Sequence, residues 1–219
     1  KKLITISLKE ISDVSGYGVV KIKNHDIIEF IEKPSPLKSP SNFINAGIYI
    51  IEKNCFTNQT DKFSIEIDLF PKYAKERKLS GYLYNGLWLE FGNLEKYKLA
   101  NFLLLKQHIK KTTLVDKTTK IDKNVTISSS IIGKNVTIDS GCVIKNSLIM
   151  DNTLIKKNVT INDSIIGNNV ELHDYTCIGQ KSVIADRCKI LPHSKLGKGV
   201  LICPSKTIKG NYSEGTIIL

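Results

Sequence analysis

Five short motifs hold the side chains in the first half of the chain that are equipped for chemistry. They are Tyr17-Gly18-Val19-Val20, Glu32-Lys33-Pro34, Asn45-Ala46-Gly47-Ile48-Tyr49, Ser64-Ile65-Glu66 and Trp88-Leu89-Glu90-Phe91-Gly92. Between them they offer carboxylates, an ammonium, an amide and, at Gly18, a position without Cβ where backbone can come close to a ligand. The four histidines are less promising. His25 and His108 lie among polar residues and read as surface, while His173 and His193 fall in the repetitive second half. The five cysteines never form C-x-x-C, which argues against a zinc knuckle or a disulfide framework and for a reducing compartment, the cytoplasm. Cys142 and Cys188 occupy small-residue slots and read as packing residues.

Charge does not point to nucleic acid. The net charge is +11, but among 32 basic residues only Arg77 and Arg187 are arginine. Arginine is the residue whose planar fork reads phosphates and bases bidentately. The lysines are also spread evenly along both halves, which describes a solvated surface rather than a binding patch. No apolar run reaches the length of roughly 20 residues that a membrane-spanning helix needs, and no signal peptide is visible.

The elements that must position these side chains follow from hydrophobic spacing. Residues 3–8, 17–22 and 27–31 alternate as strands, and 45–51 is apolar enough for a buried one. Ser64 can cap a helix through Ile65, Leu69, Tyr73 and Ala74, with Pro71 inside it. Asn93 can cap a second helix that buries Leu94, Tyr97, Leu104 and Leu105 and ends on basic residues. Trp88 reads as a core residue, and Pro34 to Pro40 as a surface connection.

From Ile121 a different rule takes over. An aliphatic residue leads each unit at 121, 127, 132, 138, 144, 150 and so on to 202, in steps of six residues with three steps of five. Neither a helical period of 3.6 nor a plain strand period of 2 produces this. A solenoid does: each hexad is a short strand and a turn, and three hexads close a triangular coil. The leading aliphatic and the small residue at the fifth position, such as Val125, Val136 and Cys142, then point inward. Gly, Asn and Asp take the corners. The expected solenoid runs from Leu114 to Ile208 in about five coils and resembles the hexapeptide-repeat left-handed parallel β-helix.

The five motifs in their order, followed by hexads, resemble the sugar-phosphate nucleotidylyltransferases, most of all the mannose-1-phosphate guanylyltransferase and glucose-1-phosphate thymidylyl- or uridylyltransferase branch. The resemblance implies an α/β fold: residues 1–112 as the C-terminal, sugar-phosphate half of a Rossmann-like nucleotidyltransferase domain, and residues 113–219 as the left-handed β-helix. It implies attack by a sugar-1-phosphate oxygen on the α-phosphorus of a nucleoside triphosphate, with pyrophosphate leaving. Lys33 would clamp the sugar's phosphate and serve as the catalytic residue. Gly18, Glu32 and Asn45 would bind the sugar, and Glu90 would ligate Mg²⁺ with a second carboxylate.

Two departures shape the expectation. The family's G-x-G-x-R nucleotide loop has no match here, and the Asp of its W-x-D-x-G element is Glu90. The chain by itself is therefore expected to be inactive, with strands 3–8, 17–22 and 45–51 presenting an open apolar edge. That edge would be covered by the missing N-terminal half or by another chain, as in a homo-oligomer. The alternatives are a noncatalytic regulatory or scaffold subunit of the same family, and a hexapeptide acyltransferase using His173 or His193.

Overall fold

Ile4, Ile6 and Leu8 alternate with Thr5, Ser7 and Lys9, and strand β1 (Ile4–Glu10) buries the first set. Four strands follow: β2 (Val19–Lys23), β3 (Asp26–Ile31), β4 (Phe43–Ile51) and β5 (Leu79–Leu83). β1 runs antiparallel to β4 and parallel to β5, and Asp26 of β3 pairs with Ser80 of β5. The sheet therefore closes on itself in the order β1-β4-β2-β3-β5. This corrects the open edge expected from the sequence, because β5 returns alongside β1 and occupies it. β4 also departs from the fully buried strand expected. Ile44 is buried, but beyond Gly47 (φ +82°) Ile48 and Ile50 are 66% and 76% exposed. The register slip opposite Ile6 and Leu8 accompanies that change.

One end of this sheet is closed by a helical segment. Ser64 Oγ accepts the Ile67 amide, as its capping role predicts, but the first turn, Ile65–Leu69, is a π turn. The α-helix α1 (Phe70–Lys75) begins only after it. Pro71 thus falls at the junction of the π turn and α1, where its ring and missing N–H accompany the departure from regular α-helical bonding. Leu69, Phe70 and Tyr73 pack with Ile4, Ile27 and Phe30 in one core. Trp88 joins a smaller cluster with Val14, Val19 and Ile44, and its Nε1 donates to the Ala46 carbonyl at 3.1 Å.

The structure, a computed structural model, describes residues 1–57 and 62–219, and it divides into two units, Lys1–Trp88 and Leu89–Leu219. The second unit opens with helix α2 (Leu94–Ile109), whose first turn is capped by Asn93 Oδ1 on the Lys96 amide at 2.8 Å. Its buried residues are Ala100 and Leu105; Leu94 and Leu104, expected inside, are substantially exposed. Leucines stand all round this helix, so spacing alone does not single out one face.

Three parallel sheets of two- and three-residue strands then form a β-helix. The first face carries seven rungs from Leu114–Val115 to Ile217–Ile218, and the other two carry six each. The solenoid thus continues past Ile208, where it was expected to end. The leading aliphatics Ile132, Ile138, Ile144, Ile155 and Ile161 are buried inside, with Val136 and Cys142 beside them. At one rung the inward residue is Ile149 and not Met150. The reason is the corner before it: Lys145-Asn146-Ser147 makes a five-residue step, matching Ser128-Ser129-Ser130 one coil earlier and Asn162-Asp163-Ser164 one coil later. The buried serines of these corners form a ladder. Ser130 Oγ accepts the Ser147 amide, and Ser147 Oγ accepts the Ser164 amide, each at 3.1 Å. Corner residues adopt positive φ, and most of the early ones are Asn, whose side chain tolerates that conformation.

Candidate functional site

Residues Tyr17 and Gly18, just before β2, hold the site together through adjacent carbonyls. Tyr17 O accepts the Lys33 amide at 3.2 Å, and Gly18 O accepts the Asn45 amide at 2.8 Å. The ends of β3 and the middle of β4 are thereby drawn to the same place. Lys33 is bent into positive φ (46°) immediately before Pro34, and its side chain remains largely exposed, 3.7 Å from Glu32 Oε1.

Glu32 has the most unusual environment. Its Oε2 is buried and has no hydrogen-bond partner among the described residues. A Cβ built on Gly18 would lie 2.7 Å from this oxygen and 2.7 Å from Phe30 Cζ, so any side chain there requires Glu32 or Phe30 to shift. Burial pushes the Glu32 carboxyl above the usual carboxylate range; Lys33 pulls it back and Glu66 pushes it further. Glu32, Lys33, Ser64, Glu66, Ile67 and Pro71 line a cavity of about 790 Å³.

A second row of polar groups stands behind. Asn45 Nδ2 donates to the Tyr49 hydroxyl at 2.8 Å, and the Tyr49 hydroxyl reaches Glu66 Oε1 at 3.5 Å. Ser64 Oγ donates to Glu66 Oε2 at 3.2 Å. Burial raises the Tyr49 phenol, with Asn45 opposing and Glu66 adding to the rise. Asn45 Oδ1 is also engaged, by the Gly47 amide at 2.9 Å, so only one amide N–H of Asn45 stays available to a ligand. Tyr49, Ser64 and Glu66 lie within the sequence motifs, but no spacing rule shows that they converge. The Tyr49–Glu66 contact crosses from a strand to a π turn.

Of the sequence-predicted residues, Gly18, Glu32, Lys33 and Asn45 are brought together in the first unit. Glu90 belongs to the second, where its Oε2 is bound by the Lys96 ammonium of α2 and its Oε1 stands over Gly92. As a hard oxygen donor that already attracts a cation, Glu90 suits a divalent metal in donor type. Among the described residues no cluster of three His, Cys, Asp or Glu side chains has the arrangement of a metal site. His193 stacks on Tyr175, with ring centroids 5.1 Å apart, and His173 lies 3.4 Å from Glu171. Cys142 and Cys188 are buried packing residues, as expected. Among the described residues no helix is long and apolar enough to cross a membrane.

Comparisons with known proteins match both parts of the chain. A model of the nucleotidyl transferase family matches residues 1–107, and a model of the left-handed β-helix (LbH) domain of EIF2B subunit epsilon matches residues 95–212. A Sulfolobus acidocaldarius protein named as a mannose-1-phosphate guanyltransferase is 34% identical over 142 residues, which are 64% of this chain and 38% of that protein. The bifunctional protein GlmU of Methanococcus maripaludis is 32% identical over 146 residues, covering 64% and 33%. An Arabidopsis thaliana protein named as mannose-1-phosphate guanylyltransferase 2 is 26% identical over 236 residues, covering 98% and 58%. The matches thus span between a third and three-fifths of these relatives. Among solved structures, the acetyltransferase domain of PglB from Neisseria gonorrhoeae superposes with a TM-score of 0.50 at 14% identity, covering 64% of this chain and 67% of that one. This is a likeness of fold alone. More than half of the chain, residues 95–212, belongs to the left-handed β-helix family of the EIF2B epsilon type, and residues 1–107 match the nucleotidyl transferase family, a combination consistent with a sugar-phosphate nucleotidyltransferase followed by a hexapeptide β-helix.

Proposed function

We propose that the first unit is the sugar-phosphate-binding half of a sugar-1-phosphate nucleotidylyltransferase, which joins a sugar-1-phosphate to a nucleotide and releases pyrophosphate. The observation that carries this reading is Glu32 Oε2. A buried carboxylate oxygen without a donor is costly, and sugar hydroxyls are the donors that would relieve it. Glycine at 18 lets the Glu32 carboxylate pack against the backbone at this position. Lys33, beside Glu32 and exposed, would neutralise the phosphate and hold it for attack on the α-phosphorus. The free N–H of Asn45 would fix one further hydroxyl, with its amide oriented by Tyr49 and Gly47. Bound Mg²⁺ would supply charge neutralisation at the phosphates, and the family resemblance makes Glu90 a candidate ligand.

A noncatalytic subunit of the same family is the second reading. What favours it is that Glu90 is already held by Lys96. In either role the five cysteines, which never form C-x-x-C, suit a reducing compartment such as the cytoplasm. The partner would be the nucleotide-binding half or a further copy of the chain.

Titration calorimetry on the 219-residue chain tests the proposal, with mannose-, glucose- and N-acetylglucosamine-1-phosphate and with free mannose and GTP as comparisons. Saturable binding of a sugar-1-phosphate that exceeds binding of the free sugar supports it. Absence of binding to all three overturns it. Pyrophosphate release by the chain alone would refute the assignment as a half-site.

A further inference from the structure

One face of the β-helix differs from the other two. The outward position of its rungs is aliphatic on every coil, through Leu148, Ile165, Val183, Leu201 and Ile217. The corresponding positions on the other faces include Lys120, Glu171 and Lys189, or Thr126, Thr160 and Lys195. The first turns of helix α2 are tied to the corner beside this face by two ion pairs: Glu95 with Lys181 at 2.7 Å, and Lys98 with Asp163. Asp163 and Lys181 are consecutive occupants of one corner, and both have positive φ.

At that corner the solenoid changes pitch. Leu148 pairs with Ile165, 17 residues on, but Ile165 pairs with Val183, 18 residues on. The short corner Asn162-Asp163-Ser164 is replaced by Gly179-Gln180-Lys181-Ser182. Where the coil lengthens, a cleft of about 570 Å³ opens between α2 and the solenoid, with Leu94, Ile165 and Val183 among its lining residues.

Most of the cleft's polar groups are already engaged. Its four charges form the two ion pairs, so they leave no net charge to a ligand. The Ser182 hydroxyl donates to the Gly197 carbonyl and accepts the Val200 amide. What remains on offer is aliphatic surface in a volume typical of small-molecule sites. We propose that this cleft is a second ligand site, separate from the Glu32–Lys33 cavity, and that it takes a small uncharged, largely apolar molecule.

Indole serves as the probe, read by methyl NMR of the full 219-residue chain labelled at Ile, Leu and Val. Saturable shifts confined to Leu94, Ile165 and Val183, with Ile178 in the solenoid interior unmoved, are the expected result. Val183→Phe, which fills the cleft, should weaken binding at least tenfold while leaving the melting temperature within a few degrees. Three results would overturn the proposal. They are shifts that never saturate or that spread equally to exposed Leu99 and Ile217, full indole binding by a folded Val183→Phe, and shifts at the cleft methyls that follow protein concentration without indole, which would make a second copy of the chain the occupant.

Discussion

Gly18 lies over Glu32 so closely that a Cβ at residue 18 would stand 2.7 Å from Glu32 Oε2. Glycine at 18 is therefore what allows the Glu32 oxygen to occupy this buried position. Gly18→Ala should displace the Glu32 carboxyl or Phe30 and cost about tenfold or more in sugar-1-phosphate affinity, roughly 1.4 kcal/mol. Calorimetry checks this. Unchanged affinity would remove Gly18 from the site.

Glu32 also predicts a pH dependence. Its folded carboxyl is raised above the ordinary glutamate value by burial, so the folded state holds this proton more tightly than the unfolded chain. Stability linked to Glu32 is therefore fully present below the unfolded value and is lost as pH rises through the raised one. Glu32→Gln should remove that loss. The variant should melt higher than wild type at neutral pH and converge with it as the solution is acidified. Parallel melting curves across that range would contradict the assignment.

Inside the solenoid, Ile138 is almost fully buried among the stacked aliphatics. Ile138→Asp places an unpaired carboxylate there and should cost about 3–5 kcal/mol, read from denaturant unfolding. Asp at Met150 should cost far less, because Ile149 and not Met150 faces inward. Equal costs at the two positions would show the register to be wrong.

The Lys98–Asp163 pair is mostly shielded from solvent, with side chains 18% and 21% exposed. Asp163 also accepts Asn146 Nδ2 at 2.6 Å. Lys98→Met should leave that carboxylate short of a partner and lower stability by about 1–3 kcal/mol. Faster hydrogen exchange in the first half of α2 would report it. Exchange unchanged from wild type would mean that the ion pair does not anchor the helix.

The solenoid was legible because its rule is local. A hexad repeats its chemistry, and each aliphatic declares its own direction. Even so, Leu148-Ile149-Met150 offers three apolar residues in a row, and only the five-residue corner decides which of them points in. In the first unit the capping roles of Ser64 and Asn93 were visible because capping spans three residues. The closure of the sheet was not, since it depends on β5 returning beside β1 some 75 residues later, as in the Thr5–Ser80 hydroxyl contact. The site follows the same division. Glu32, Lys33, Gly18 and Asn45 are candidates that the motifs single out. The orphaned state of Glu32 Oε2, the Tyr49–Glu66 support and the Glu90–Lys96 pair are properties of packing in three dimensions.

The central claim is that Glu32 and Lys33 hold a sugar-1-phosphate, and Lys33→Ala measures it most directly. A charge-assisted phosphate contact is worth about 1.5–3 kcal/mol. Titration of mannose-1-phosphate, or whichever sugar-1-phosphate binds wild type best, into wild type and Lys33→Ala should show affinity falling roughly tenfold to a hundredfold, with the melting temperature little changed because the Lys33 side chain is exposed. Equal affinity of the two proteins would contradict the account.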